Sequence, residues 1–349
     1  MFIIRADGNA KIGAGHLMRC LTIGEALSSN GEDVLFLCAD RDSALLAERF
    51  GFRTGVLHTD YRQMETELAA WDAWVRGGGN VILVDSYHVT DAYLTGLRKY
   101  GSVYLMDDMQ RQAHPVDGVI NYNLFADLDV YRRLYEMGQA CDMQGDYHDR
   151  GVRFYLGGAY APLRAQFQNV EYRVRESVSD VLITTGGADA DNIAGEILDA
   201  LDRRDITFHV LVGRFSPHFE SWRARAKEAP RIRIYFDLQD MAGLMRRCDL
   251  AVSAGGSTLY ELAAVGVPFI CFSYAENQEA LAEYMGKEHV AGYAGAWHLD
   301  RPCALRRMAE LFSELCGDRA LREQYFERER GLIDGRGAYR LAEALRGLR

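Results

Sequence analysis

Short, unbroken apolar runs separated by stretches of helical period recur along the whole chain. Residues 2–4, 33–38, 80–84, 102–106 and 152–158 are such runs, followed by 180–185, 207–212, 232–236, 248–254 and 268–270. Runs without alternation suit strands buried on both faces, so they predict parallel sheets covered by helices. A helix is predicted from Leu17 onward (Met18, Leu21, Ile23, Ala26, Leu27), and segments 63–78 and 90–99 predict crossover helices. From 122 to 149 the pattern fades into polar and aromatic residues, and 152–158 reads as the last strand of a first domain. Segment 171–179 is polar and aperiodic, which puts a boundary near 155–175. The expectation is an α/β protein of two Rossmann-like domains, 1–160 and 161–349.

Composition narrows the partners. At 349 residues, either half is long enough for its own core. A hydrophobic content of 48% and a charged content of 26% are those of an ordinary globular protein. The net charge of −10 argues against nucleic acid or an anionic membrane, both of which demand a basic face. An anionic ligand would therefore be held by local N–H groups and single cations. No apolar run approaches the roughly 18 residues of a membrane span, and Arg5 interrupts the N-terminus before any leader could form. The seven cysteines (Cys20, Cys38, Cys141, Cys248, Cys271, Cys303, Cys316) are scattered without a C-x-x-C. They read as reduced thiols of a cytoplasmic protein, with neither zinc nor disulfides indicated.

Candidate chemistry collects at the predicted strand ends, where ligands lie in such folds. After the first strand, Gly13 and Gly15 allow close backbone approach, and the helix start offers unpaired N–H groups. His16 stands at that junction as a group able to exchange a proton near neutral pH. The stretch is no dinucleotide fingerprint, because Met18 occupies the third glycine position. Asp85, Ser86, Tyr87 and His88 follow one strand, and Asp107, Asp108 and Met109 another, with Arg111, His114 and Asp117 beyond. Asp85 reads as a helix cap, and the adjacent pair Asp107-Asp108 should diverge rather than share a metal. In the second half, Asp189-Ala190-Asp191 has the spacing of metal-dependent sugar transferases but fits better as helix N-terminal carboxylates. The tract 253–262 places phosphates at Gly255, Gly256, Ser257 and Thr258, with Glu261 one turn on, where a carboxylate can accept from a ribose diol.

These residues together resemble a known family. Arg5-Ala6-Asp7, Ile12-Gly13-x-Gly15-His16-x-Met18-Arg19-Cys20-Leu21, Asp85-Ser86-Tyr87, Asp107-Asp108, Asn121-Tyr122-Asn123 and Gly186-Gly187 occur in order. Ser253-Ala254-Gly255-Gly256-Ser257-Thr258-x-Tyr260-Glu261-Leu262, Asn277-Gln278 and Asp334-Gly335-x-Gly337 complete a pattern covering nearly the full length. The pattern resembles the PseG family of UDP-sugar hydrolases, which in pseudaminic acid biosynthesis cleave UDP-2,4-diacetamido-2,4,6-trideoxy-β-L-altropyranose to UDP and free sugar. The resemblance implies a MurG-like GT-B fold, two domains facing each other across a cleft, with the last helix, about 337–349, packing back on the first. It implies His16 as the catalytic residue and Glu261 as the ribose ligand on a UDP-binding C-terminal domain. Arg5, Asp7, Gly13, Gly15, Arg19, Tyr87, Gly186, Gly187, Gly255, Gly256, Ser257, Thr258, Asn277 and Gln278 are the other expected substrate-binding residues. UDP leaves as a stable anion, so one base that activates water suffices, with inversion, no metal and no cofactor. A monomer acting on a small UDP-sugar is expected. The competing readings are a GT-B glycosyltransferase, a UDP-sugar epimerase and a noncatalytic nucleotide-sugar sensor.

Overall fold

The structure is a computed structural model that describes residues 1–9, 12–140, 151–186, 189–201, 203–213, 216–236 and 238–347, without the side chains of 137–140. It comprises two compact units, Met1–Arg164 with Arg336–Arg349, and Ala165–Gly335.

Unit 1 runs β1 (Phe2–Ala6), α1 (Gly15–Ser29), β2 (Val34–Cys38), α2 (Arg41–Arg49), β3 (Arg53–Val56), α3 (Leu68–Trp71), β4 (Asn80–Asp85), α4 (Asp91–Leu97), β5 (Gly101–Met106), β6 (Gly118–Asn121), α5 (Leu128–Ala140) and β7 (Arg153–Leu156). Its seven strands lie parallel in the order β3-β2-β1-β4-β5-β6-β7. Successive strand residues enter opposite cores: Phe2, Ile4 and Phe36 join α1 on one face, while Ile3, Leu35 and Leu37 join Trp71 and α4 on the other. That is why the runs show no alternation. The predicted helix over 63–78 is mostly absent: a 3₁₀ turn, Met64–Glu67, leads into the single turn of α3. Met64, Trp71 and Val75 are nonetheless buried, and Glu67 turns inward to meet Arg5. The tract 122–149, read as pattern-poor, contains α5.

Unit 2 runs β8 (Asp180–Thr184), α6 (Ile193–Ala200), β9 (Thr207–Val212), α7 (Phe219–Glu228), β10 (Ile232–Phe236), α8 (Met241–Arg247), β11 (Leu250–Ala254), α9 (Thr258–Val265), β12 (Phe269–Ser273), α10 (Glu279–Lys287), β13 (Gly292–Ala296), α11 (Arg301–Gly317) and α12 (Arg319–Leu332). Its six parallel strands are ordered β10-β9-β8-β11-β12-β13. Buried Asp249 fixes the entry into β8, accepting from the Ser179 and Asp180 amides at 2.8 and 2.9 Å and pairing with Arg175. The chain then returns to unit 1 as α13 (Gly337–Arg346), whose Ala338, Leu341, Ala342 and Leu345 share the α1 core.

One buried carboxyl of unit 2 has neither oxygen hydrogen-bonded. Glu329 of α12 is fully buried, and neither carboxylate oxygen accepts a hydrogen bond. Burial alone pushes its carboxyl well above the usual range, so the folded chain holds it protonated. A group whose folded pKa is raised stabilises fully below its unfolded pKa and loses that contribution as pH rises towards the folded value. Denaturant unfolding of the wild type should therefore weaken from about pH 4.5 upward, by at most ~1.4 kcal/mol per pH unit from this residue. Glu329→Gln should abolish that component and be the more stable chain at neutral pH. Parallel pH profiles of variant and wild type would refute the assignment.

Candidate functional site

Each sheet has one switch point, where the strand order reverses direction and a crevice opens at the carboxyl ends. In unit 1 it falls between β1 and β4, with Ala6 opposite Asp85. The loop leaving β1 is shaped by Asn9, whose carbonyl accepts from the Gly13 amide at 2.9 Å and whose side chain accepts from Ile12. Gly13 takes a positive φ of 76° there. α1 then starts at Gly15 with no side chain capping it, unlike α2, α4, α8, α11 and α12, which Asp or Thr residues cap. Its first N–H groups stay available to an anion.

His16, on the first turn of α1, reaches the end of β4. Its Nδ1 lies 2.5 Å from Asp85 Oδ1 and 3.3 Å from an Arg19 NH2 nitrogen. Arginine only donates and a carboxylate only accepts, so the shorter contact has Nδ1–H donating to Asp85, and in the neutral ring the lone pair then lies on Nε2. Arg19, one turn on, grips both Asp85 oxygens at 2.6 and 2.7 Å. Asp85 is thus no helix cap but the partner of the histidine. Burial works to raise its carboxyl, yet the Arg19 charge and the bonds from Arg19 and His16 prevail and hold it well below the usual carboxylate range. Arg19 also donates to Asp108 at 3.0 Å and to the Tyr122 hydroxyl at 3.1 Å. Tyr87 meets the His16 ring edge-on at 4.5 Å between centroids and donates to Asp108 at 3.0 Å. The cluster drawn from four strand ends was visible in the sequence only as separate polar residues.

Three expected substrate ligands are occupied within the protein. Arg5 is completely buried, donating to Glu67 through Nε at 2.7 Å and to Asp7 at 2.6 Å. Asp7 also accepts from the Ala39 amide at 2.7 Å, and Tyr93 closes on Glu67 at 2.9 Å. Arg5 and Asp7 therefore brace the base of the β1 loop, a buried ionic network beneath it. Arg19 likewise has its guanidinium engaged by Asp85, Asp108 and Tyr122 and orients the cluster. Asp107 and Asp108 diverge as their adjacency led us to expect, since Asp107 accepts from the Met109 and Gln110 amides and from Tyr131.

In unit 2 the switch point falls between β8 and β11. Exposed Gly186, with φ 97°, follows β8, and Gly255 through Thr258 follow β11 into α9, which also starts without a side-chain cap from Ser257. A Cβ on Gly255 would meet the Gln278 carbonyl at 3.0 Å and Ala282 at 3.2 Å, whereas a Cβ on Gly256 would meet nothing within 4 Å. A side chain at Gly255 would thus press on its neighbours, while Gly256 leaves open space beside the helix start; Gly15 does the same at α1. Glu261 is half-buried on the first turn of α9. Asn277 is exposed, and the Gln278 side chain accepts from the Tyr274 amide at 3.2 Å. Asp189 accepts from the Ile193 and Ala194 amides at 2.7 and 3.1 Å, the N-terminal role favoured over metal binding. Gly187 lies outside the described residues. No group of three or more metal-ligating side chains occurs among the described residues.

Two Rossmann-like units, each a parallel sheet with a crevice at its switch point, are the architecture of the GT-B fold. Residues 180–305 match the glycosyltransferase family 28 C-terminal domain. MurG of Acinetobacter baumannii superposes with a TM-score of 0.68 at 13% identity, over 99% of either chain, which establishes the fold. The chain is 25% identical to the spore coat polysaccharide biosynthesis protein SpsG of Bacillus subtilis, over 99% of this chain and 97% of that one. It is 23% identical to the UDP-2,4-diacetamido-2,4,6-trideoxy-beta-L-altropyranose hydrolase of Campylobacter jejuni, over 82% of this chain and 96% of that one. The resemblance read from the motifs is therefore matched by a relative that bears that hydrolase name.

The two adjacent glycines of unit 2 should separate by stability. Gly255→Ala should cost ~1–3 kcal/mol through overpacking against Gln278 and Ala282. Gly256→Ala should change unfolding free energy by no more than about 0.5 kcal/mol. Equal effects in urea titrations would show that the space beside Gly256 is not free.

Proposed function

We propose that the protein hydrolyses a UDP-linked diacetamido-trideoxy sugar, releasing UDP and the free sugar. The observation that carries this reading is the His16–Asp85 pair, at an uncapped helix start, in which Nδ1 faces the carboxylate and the neutral ring keeps its lone pair on Nε2. In this reading Nε2 takes a proton from water as the water oxygen bonds to C1 of the sugar. The C1–O bond to the diphosphate breaks, and its electron pair leaves with UDP. N–H groups at helix starts meet the phosphate charge, so the reaction needs no metal ion. Gly255, Gly256, Ser257 and Thr258 form the phosphate-binding turn of unit 2, with Gly186 beside it. Glu261 accepts from the ribose hydroxyls, and Asn277 lies on the neighbouring loop. Asp85 and Asp108 are both held by Arg19, which leaves neither as a free nucleophile. Single displacement with inversion follows. A glycosyltransferase of the same fold would pass the sugar to a hydroxyl acceptor instead. The hydrolase name of the Campylobacter relative and the ability of one base to serve water favour hydrolysis.

The decisive experiment is NMR of the purified chain with this UDP-sugar in ¹⁸O-water and EDTA. The inverted anomer should appear first, with the label in the sugar. First release of the retained anomer, or label in UDP, would overturn the mechanism, and restoration of lost activity by Mn²⁺ would overturn metal independence. His16→Asn should lower kcat by about 10²–10⁴-fold. Asp85→Asn should also lower kcat severely by inverting the tautomer preference, with little change in KM. Glu261→Ala should weaken UDP by roughly 1.5–3 kcal/mol and dTDP, which lacks the 2′-hydroxyl, by less; equal losses in calorimetry would remove the ribose role.

A further inference from the structure

Ten large hydrophobic side chains stand well exposed among the described residues, and four of them, Tyr87, Met109, Phe125 and Leu128, lie on the segments that follow β4, β5 and β6. These segments follow Asp85, the partner of His16, and carry Asp108 and Tyr122, which accept from Arg19. Met109 is 45% exposed, and Phe125 and Leu128 are each 38% exposed. The two loops involved are tied together at both ends. Asn123 reaches Asp108 at 3.5 Å, and the Gln110 side chain makes paired bonds with the Asp127 main chain at 2.7 and 3.3 Å. Met109 therefore sits between two cross-links to the loop that carries Phe125.

Leaving apolar area in water forgoes roughly 25 cal/mol per Å², so apolar residues gathered beside a polar cluster mark a surface that a ligand covers. A hydroxyl-rich hexose would not cover it well, because its hydroxyls would lose water without gaining partners. A sugar with acetamido groups at C2 and C4 and no oxygen at C6 presents a methyl group at each of those positions. We propose that Met109, Phe125 and Leu128 form an apolar subsite for these methyl groups and select deoxy, N-acetylated sugars over hydroxylated ones. The assignment rests on the hydrolase reading and names what that site selects.

Phe125→Ser and Met109→Ser test it, with kcat/KM on the diacetamido-trideoxy UDP-sugar and inhibition constants for UDP-N-acetylglucosamine and UDP. Either variant should lose about 10–200-fold in kcat/KM on the methyl-rich substrate, the range for one hydrocarbon contact, and the loss should lie in KM. UDP inhibition and the melting temperature should stay unchanged, and UDP-N-acetylglucosamine, with its C6 hydroxyl and single acetamido group, should weaken less. Unaltered kcat/KM, or equal weakening of both sugars, would overturn the subsite while leaving hydrolysis intact. A wild-type chain that cleaves no such UDP-sugar would overturn the hydrolase reading and the subsite with it.

Discussion

Asp85 ends a strand whose residues are all buried, and a carboxylate in that position must find donors or give up its charge. Arg19 supplies two of those donors and His16 a third. The consequences spread outward. Because Asp85 is claimed by Arg19, it orients the imidazole without being free to react with a sugar. Because Arg19 sits one turn beyond His16, the first turns of α1 are clamped to the end of β4. Asp108, Tyr87 and Tyr122 then take their places around the same guanidinium. A single buried charge thus sets the tautomer of the neutral His16 ring and the arrangement of three strand-end loops.

The switch point of unit 2 is built differently. There the switch point holds glycines, an uncapped helix and a half-buried glutamate, which suits binding rather than proton transfer. The two units share a strand grammar and differ in what their switch points carry. Buried ion pairs confer little net stability, since desolvation consumes most of the Coulomb gain. The Arg5–Asp7–Glu67 network is accordingly best understood as geometric, holding the root of the β1 loop in one conformation.

Much of this was legible in the sequence where apolar runs were long and pure. β1, β2, β4, β5 and β8 through β12 stand close to where their runs placed them. The strands β3, β6 and β13 were missed because RTGV, GVIN and GYAGA are short and diluted by glycine, and only their neighbours identify them as strands. The helix expected over 63–78 gave way to the demand that Glu67 reach Arg5, a tertiary requirement without a local signal. His16 was legible from its place at a glycine turn. The role of Asp85 was not, since pairing it with a residue sixty-nine positions away depends on β1 and β4 being neighbours. Arg5, in β1, and Arg19, in α1, were expected as ligands from the motifs they belong to, and a motif looks alike in sequence whether a phosphate or a carboxylate faces its arginine.

The return of α13 to unit 1 carries a consequence for how the chain is made. The helix that covers the apolar face of α1 is synthesised after every residue of unit 2. Ribosomal emergence is vectorial, so unit 2 can complete its core while unit 1, though begun first, still lacks Leu341 and Leu345. The chain enters and leaves unit 2 at adjacent points, with Gly335 pressed against the Phe167 carbonyl so closely that a Cβ there would collide with it. Birth order and folding order are thereby uncoupled: the half bearing the histidine waits for α13, made after unit 2, before its hydrophobic interior is sealed.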